Sequence, residues 1–256
     1  MEDIDPPREE PGAADAILRS LEAHGLHWDE SVLWQHSRLE AYAEVTNSLL
    51  QSGAAFRCDC RRKDLASIGG PYPGTCRNRE LPTANSHAVR LKVDADCDIQ
   101  FEDVFQGDFT QSLTAVSGDF IIRRRDKLPA YQLAVAIDDQ FQNITTVMRG
   151  ADLLDSTPRQ IHVMGALGAA VPEYAHHAVL TNIEGQKLSK QTHAPILNHD
   201  SVIANLKFAL QFLAQEQPTE IDLDTEELLQ WAVAHWHRSA VPRVLSLPYQ
   251  HNSLNV

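Results

Sequence analysis

Apolar positions along the chain form helical stripes towards either end and short β-type runs between them. Ile17, Leu18 and Leu21 share one helical face and Gly25 supplies a stop, which predicts a helix over roughly 12–24. The stretch before it, MEDIDPPREEP, is acidic and proline-bearing and reads as a loop. A second helix is expected from Ser37 to Gln51, with Leu39, Tyr42, Ala43, Leu49 and Leu50 apolar and Gly53 closing it. Ala55–Cys58 reads as a short buried strand. His87–Val93 alternates, with Ala88, Arg90 and Lys92 set against Val89, Leu91 and Val93, and Ile99–Val104 reads as a further strand.

From residue 119 the pattern changes. Phe120-Ile121-Ile122 reads as a strand, Tyr131–Phe141 as a mostly buried helix, and Ile144–Met148 as a β-branched strand. Thr157-Pro158 then opens another helix, with Thr as N-cap and Pro at the first helical position. Strand, helix, strand, helix predicts a parallel sheet with crossover helices, an α/β class. The strand-rich 55–117 reads as an insertion in that unit. After Pro195 the chain turns helical, near 200–214 and again near 224–236. The expected division is 1–54 and 118–198 for the two parts of the core, 55–117 for the insertion and 199–256 for a helical C-terminal segment.

Composition narrows the class of function. A hydrophobic content of 43% with 22% charge is that of a water-soluble globular protein. Runs such as LAVAI at 133–137 are too short to span a bilayer, and no basic-plus-apolar leader is visible. Four clustered cysteines fit metal binding in a reducing compartment better than a disulfide framework, so a cytoplasmic protein without membrane attachment is expected. A net charge of −13 argues against nonspecific coating of nucleic acid. The short basic runs Arg61-Arg62-Lys63 and Arg123-Arg124-Arg125-Asp126-Lys127 read by themselves as solvated surface.

Two stretches could carry chemistry. In FRCDCRRKDLASIGGPYPGTC, Cys58 and Cys60 stand one residue apart and Cys76 follows a Gly/Pro-rich turn, with no histidine. The residues alone leave open a metal site short of one ligand, a redox pair and three buried thiols. In QKLSK, Lys187 and Lys190 flank Ser189 on a loop suited to polyphosphate, although by itself an ordinary exposed loop with two lysines explains such a pattern most of the time.

KLSK resembles the second signature of class I aminoacyl-tRNA synthetases. MEDIDPPRE, PAYQLAVAIDD and VMRGADLLDSTPRQ resemble stretches of their glutamyl branch, in the same order and over nearly the whole chain. Within that branch the chain is most similar to the glutamyl-queuosine tRNA(Asp) synthetases, paralogues lacking an anticodon-binding domain. The SKQTHAP reading, the cysteine spacing and the short stretch after Lys190 carry that likeness.

The resemblance implies a Rossmann-like class I synthetase catalytic core with a zinc-bearing insertion and a short helical C-terminus. It implies an ATP-dependent ligase that activates L-glutamate to glutamyl-adenylate. The glutamate is then transferred to the queuosine base in the anticodon of tRNA(Asp), a tRNA modification carried out by a monomer using Mg2+ with its ATP. It implies one structural zinc on Cys58, Cys60, Tyr72 and Cys76, the tyrosine oxygen taking the fourth place. Glu2 would meet the α-amino group of glutamate, and Tyr131 and Arg149 would hold the amino acid, Arg149 by a bidentate pairing with the side-chain carboxylate. Lys187, Leu188, Ser189, Lys190 and Gln191 would form the ATP-facing loop, with Lys187 and Lys190 catalytic. Asp152, Thr157 and Arg159 match the motif in structural roles, and Cys97 stands outside it as a core thiol.

One departure accompanies these matches. The family opens with Arg-Phe-Ala-Pro-Ser-Pro and a His-x-Gly-x phosphate signature, and neither stands in this sequence. The resemblance therefore implies a core whose first strand, turn and helix are missing, with little or no adenylate formation by the chain as written. It also keeps an alternative, a non-catalytic or weakly active tRNA-binding remnant of the same fold. A fragment of a discriminating glutamyl-tRNA synthetase is a third reading.

Overall fold

In the computed structural model, residues 1–5, 9–66, 68–82, 86–189, 197–219 and 222–249 are described. The expected opening helices are α1 (Ala13–Ala23) and α2 (Leu39–Gln51), the latter entered through a 3-10 turn at Gln35–Arg38. Gly25 takes a left-handed φ of 68° after α1, and Gly53 one of 75° after α2, a geometry that glycine adopts without steric cost. α1 buries no residue despite its apolar stripe, whereas α2 buries Tyr42, Thr46 and Leu49.

β1 (Ala55–Cys58), β2 (Ala88–Leu91) and β5 (Phe120–Arg123) form an antiparallel sheet in the order β1-β2-β5. The alternation expected for β2 gives way to burial of all four residues. Arg90, on the same side of that alternation as Lys92, is enclosed because the Tyr72 ring covers its guanidinium at 3.9 Å and the Asp119 carbonyl accepts from Nη1 at 2.7 Å. A cation satisfied in this way can be buried where a lone one could not.

β3 (Asp98–Asp103) and β4 (Gly107–Ser112) make a hairpin with register Phe101↔Phe109. β6 (Thr146–Gly150), α6 (Thr157–Leu167) and β7 (Glu173–His177) form a crossover unit with β6 and β7 parallel. These strands lie in one mixed sheet in the order β4-β3-β7-β6. Parallel pairing with a crossover helix thus holds for β6–α6–β7, but β5 joins β2 and not β6. The strands of 55–117 share both sheets with strands that follow it, β2 with β5 and β3 with β7.

Two local differences have clear causes. The strand expected at 144–148 begins at Thr146, because Asn143 is left-handed (φ 54°) and the Ile144 N–H closes a turn on the Asp139 carbonyl at 2.8 Å. The N-cap of α6 is Ser156 and not Thr157, whose hydroxyl is turned towards Arg149.

α7 (Val202–Phe212) and α8 (Thr225–Ala234) supply the expected C-terminal helices, α8 starting from a capping box between Asp224 and Glu227. β8 (Val179–Thr181) pairs in parallel with β9 (Ser246–Pro248), which ties the last described residues back to the core. Among the described residues no helix is long and apolar enough to cross a membrane.

The main core joins α2, β2, β5, α5 (Tyr131–Phe141) and α6 through Tyr42, Leu91, Ile122, Leu133, Val163 and Met164. Asp138 of α5 is a buried polar hub within it. It accepts from Gln35 Nε2 at 2.9 Å, Arg38 Nε at 2.7 Å and the Tyr42 hydroxyl at 2.7 Å. The Arg38 guanidinium also lies 3.9 Å over the Phe141 ring. Removing one partner of such a network strands the others, so Asp138→Ala should destabilise the fold by about 3–5 kcal/mol. A denaturant midpoint unchanged from the parent would refute this, with the m-value reporting whether the native state stays compact.

Candidate functional site

The first residues are held in place by backbone pairing. The Gln35 N–H donates to the Met1 carbonyl at 3.1 Å, the Met1 amino group donates to the Leu33 carbonyl, and Ile4 packs on the main core. Glu2 thereby stands within electrostatic reach of Arg149 of β6 and of Asp138 and Asp139 of α5. It keeps a solvent-facing surface. Crowding nevertheless lifts its carboxyl above the ordinary range, the N-terminal ammonium and Arg149 pull it back, and Asp138 pushes it up. Tyr131, at the first position of α5, stands in the same group. Burial raises its phenol, Glu2 raises it further and Arg149 lowers it. The structure therefore brings Glu2, Tyr131 and Arg149 together.

Arg149 is gripped by neutral groups. Its Nε donates to His176 Nε2 at 3.1 Å, and Nη2 donates to Thr157 Oγ1 at 2.9 Å and Gln160 Oε1 at 2.6 Å. The Tyr174 ring lies 5.6 Å from its guanidinium carbon. Among the described residues no carboxylate is paired with it. The Nε/Nη2 edge that would grip a carboxylate bidentately is already engaged, which leaves Nη1. Gln160 is a residue that sequence reasoning missed. It is 1% exposed, and its Nε2 makes no geometrically formed hydrogen bond among the described residues, although the side chain stands close enough to lower the Tyr131 phenol. A buried donor left unmade is costly, so such a group calls for a partner from outside. Its signal was present in VMRGADLLDSTPRQ, where it closes the motif.

The second locus is the cysteine knuckle. The Cys58, Cys60 and Cys76 sulfurs all lie within 4.8 Å of one another, with Cys60 and Cys76 3.5 Å apart. The Tyr72 hydroxyl stands 3.6 Å from the Cys58 sulfur and 3.7 Å from that of Cys60. Edges of this length suit a tetrahedron around a metal about 2.3 Å from each sulfur, whose S···S edge is about 3.8 Å. The three cysteines form a group able to hold a metal ion, and Tyr72 faces the same centre.

The surroundings favour charge on the Cys58 sulfur. Burial alone would raise the Cys58 thiol, but donation from Arg90 and Tyr72 outweighs it and the net shift is downward. Burial pushes Cys60 up to about 11, and raises the Tyr72 phenol as well. With no cation at the centre these two groups keep their protons. Gly118 lets the chain close on the site. A side-chain carbon there would stand 2.2 Å from the Tyr72 carbonyl oxygen, and its φ is 56°. Arg77 ties the knuckle to the sheet through two bonds to the enclosed Asp119. Cys97 lies apart, half-buried against the main core with its sulfur 3.8 Å from His162 Nδ1.

The third locus is the lysine loop. The Leu188 N–H donates to the Leu180 carbonyl at 2.8 Å, which lays the loop along β8. Lys187 pairs with Asp152, just after β6, so the loop is fastened to the strand that carries Arg149. Gly150 makes room for that fastening, since a side-chain carbon there would lie 2.5 Å from Asp152 Oδ1. Arg159 is lowered by burial and donates to the Ser156 hydroxyl at 3.2 Å. Lys190 and Gln191 lie outside the described residues.

A parallel crossover unit with its site at the carboxyl end of the strands and a lysine loop beyond it is the arrangement of an open α/β ligand-binding fold. A family model for the catalytic domain of class I tRNA synthetases (E and Q) matches residues 1–70 and 76–213. The Glutamyl-Q tRNA(Asp) synthetase of Pseudomonas fluorescens is 46% identical over 249 residues, covering 97% of this chain and 83% of that protein. Its namesake in Thiobacillus denitrificans is 48% identical, over 94% of this chain and 82% of that protein. A glutamate-tRNA synthetase structure from Elizabethkingia anophelis superposes with a TM-score of 0.79 at 21% identity. This chain is covered to 98% but spans only 60% of that one, and the likeness is one of fold. The chain belongs to the class I tRNA synthetase family and, within it, to the glutamyl-Q tRNA(Asp) synthetases.

Asp139 is a further group that the sequence did not single out. Burial pushes its carboxyl up to about 6, with Arg149 pulling it down and Asp138 and Glu2 pushing it up. Its folded value lies above the unfolded one, so its contribution to stability is full below the unfolded value and is lost as pH rises through 6. Asp139→Asn should therefore raise Tm more at about pH 8 than at about pH 5. An equal gain at both, in parallel melts with the parent, would contradict this assignment.

Proposed function

We propose that this chain is a glutamyl-Q tRNA(Asp) synthetase. It joins L-glutamate to ATP as glutamyl-adenylate with release of pyrophosphate, then transfers the glutamyl group to the queuosine base in the anticodon of tRNA(Asp). The observation that carries this reading is Arg149, a cation held by neutral acceptors beside an unpartnered amide donor and without a carboxylate of its own. Such a site is complementary to an anionic side chain. The relatives at 43% to 48% identity favour an enzyme over a non-catalytic tRNA-binding remnant. The reaction is placed in the cytoplasm, with Mg2+ accompanying ATP and the chain acting as a monomer.

In this reading Arg149 Nη1 and the Gln160 amide receive the side-chain carboxylate. Tyr131 bounds the amino acid, and Glu2, within the field of Arg149, accepts from its α-ammonium. The α-carboxylate is then free to attack the α-phosphorus of ATP, and the bond to the leaving pyrophosphate breaks. Lys187, Leu188, Ser189, Lys190 and Gln191 face the nucleotide, the two lysines stabilising charge that develops on the phosphates. Asp152 holds Lys187 ready on the Arg149 strand.

Zinc fits the knuckle. Cys58, Cys60, Tyr72 and Cys76 would hold it, three thiolates and one phenolate closing a structural centre that cross-links β1 to the turn carrying Cys76. The purified chain should carry about one zinc, bound with roughly 10–16 kcal/mol. Cys60→Ala should lose it, and Tyr72→Phe should weaken it less, because water can take the vacant place. Elemental analysis finding no zinc in protein prepared without chelator would sink this assignment.

Amino-acid choice is tested by calorimetric titration and by glutamate-dependent pyrophosphate exchange. Exchange is run on this chain and on one extended upstream with the family's opening strand and helix. L-glutamate should bind in preference to L-glutamine, and Arg149→Ala should weaken it by about 2–5 kcal/mol while leaving the zinc in place. Equal binding of the two amino acids by the parent would remove Arg149 from this role.

A further inference from the structure

Behind Arg149 lies a dyad with no surface of its own. Asp103, at the end of β3, is 1% exposed and His176 of β7 is 0% exposed. His176 Nδ1 donates to Asp103 Oδ2 at 2.6 Å. Asp103 Oδ1 accepts from the backbone N–H groups of Phe105 at 3.0 Å, Gln106 at 2.9 Å and His176 at 3.1 Å. Burial alone would raise this carboxyl, but the bonds from His176 and the backbone outweigh it and hold it below the ordinary range. Asp103 is thus a fixed anion.

An anion against Nδ1 requires the ring proton on that nitrogen, which leaves the Nε2 lone pair as an acceptor. Nε2 faces Arg149 Nε and Thr157 Oγ1, each at 3.1 Å. The opposite tautomer would set an N–H of the ring against the N–H of the guanidinium. The Arg149 plane is therefore determined by which ring nitrogen carries the proton, two residues away from any ligand. Thr157 and Gln160 fix the other bonded nitrogen, so the two grips together set the guanidinium plane beside Tyr131 and Glu2.

We propose that Asp103 and His176 are positioning residues for the amino-acid site: Asp103 imposes the imidazole tautomer that holds Arg149 in its glutamate-binding orientation. This rests on the reading of Arg149 given above. It goes further in assigning recognition to a buried pair that touches no substrate.

Asp103→Asn is the informative change. Its remaining oxygen keeps the three backbone bonds, while the new amide donor facing Nδ1 drives the ring proton to Nε2. Nitrogen-15 NMR of the histidine rings should show the His176 proton on Nδ1 in the parent and on Nε2 in the variant. The Kd for L-glutamate, read by calorimetry, should rise about tenfold or more, as expected for loss of a bond to a charged group. Adding His176→Gln should recover binding, because an amide oxygen offers Arg149 an acceptor with no tautomer to set. A parent ring protonated on Nε2 would overturn the proposal. So would an Asp103→Asn Kd within about twofold of the parent, or a double variant as weak as the single. Should Asp103→Asn fail to fold, His176→Gln must bind glutamate more tightly than His176→Leu, and equal loss in the two overturns the proposal. Arg149→Ala, measured alongside, separates the failures. If it leaves the glutamate Kd unchanged, the substrate reading falls and takes the proposal with it, whatever the tautomer. If it weakens binding while Asp103→Asn does not, only the positioning role falls.

Discussion

A guanidinium set inside a fold with no carboxylate against it must draw its hydrogen bonds from neutral groups, and this constraint organises the centre of the molecule. Arg149 on β6 takes His176 from β7 and Thr157 and Gln160 from α6. A strand, its crossover helix and the next strand are thereby held in register at one point. An acid in any of those three places would have neutralised the cation and closed the site to an anionic ligand. The nearby acids Glu2 and Asp139 are near enough to feel its charge but are not paired with it. Asp138 is spoken for by Arg38 and Tyr42, and Asp139 holds its proton up to about pH 6. Asp138 is thus engaged elsewhere and Asp139 partly neutralised, which leaves the charge of Arg149 available to an anionic ligand.

The knuckle answers a different problem. A short strand, a five-residue helix and a Gly/Pro-rich turn hold too little apolar surface to define a structure by burial alone. Phe56, Cys58, Tyr72 and Cys76 make only a small satellite cluster. The cross-links are polar: Arg90 stacks on Tyr72 and donates to the Cys58 sulfur at 3.3 Å, and Arg77 grips Asp119. Two arginines thus link the knuckle to β2 and β5, so order at the thiols and order in the antiparallel sheet depend on each other. In a chain of net charge −13, cations placed here act as internal struts.

Much of this was legible in the residues. Apolar periodicity located α2, α5, α7 and α8 to within a few residues, because each buries or partly buries the face that its spacing advertises. The thiol cluster and the grouping of Glu2, Tyr131 and Arg149 followed from the motif resemblance. What escaped was whatever depends on partners distant in sequence. β4, GDFTQS, has no clean apolar alternation and is a strand because β3 pairs with it along its length. The enclosure of Arg90 was not legible because nothing in AVRL announces a tyrosine ring arriving from residue 72. β5 reads as part of the parallel unit because strand order is not written in periodicity, and its partner β2 lies within the segment read as an insertion. Asp103 and His176 are ordinary residues in sequence, and only folding sets them 2.6 Å apart.

The distribution of bonds on Arg149 also bears on how the amino-acid and nucleotide halves communicate. β6 ends in Arg149-Gly150, and two residues later Asp152 pairs with Lys187 of the lysine loop. The absence of a side chain at Gly150 is what permits the Asp152 carboxylate to fold back, with the Val179 methyl 2.9 Å from where a side-chain carbon would stand. Val179 begins β8, along which the loop is laid by the Leu188 bond to Leu180. Arg149, proposed to meet the amino acid, and Lys187, proposed to meet the phosphates, are therefore carried by one strand end, a glycine and an ion pair. An exposed ion pair is weak by itself. Its place at a glycine that tolerates no side chain makes it a geometric tether, which sets where Lys187 can stand and contributes little to stability. A change of posture at Arg149, whether imposed by a ligand or by the His176 ring behind it, has two residues of backbone to cross before it reaches that tether.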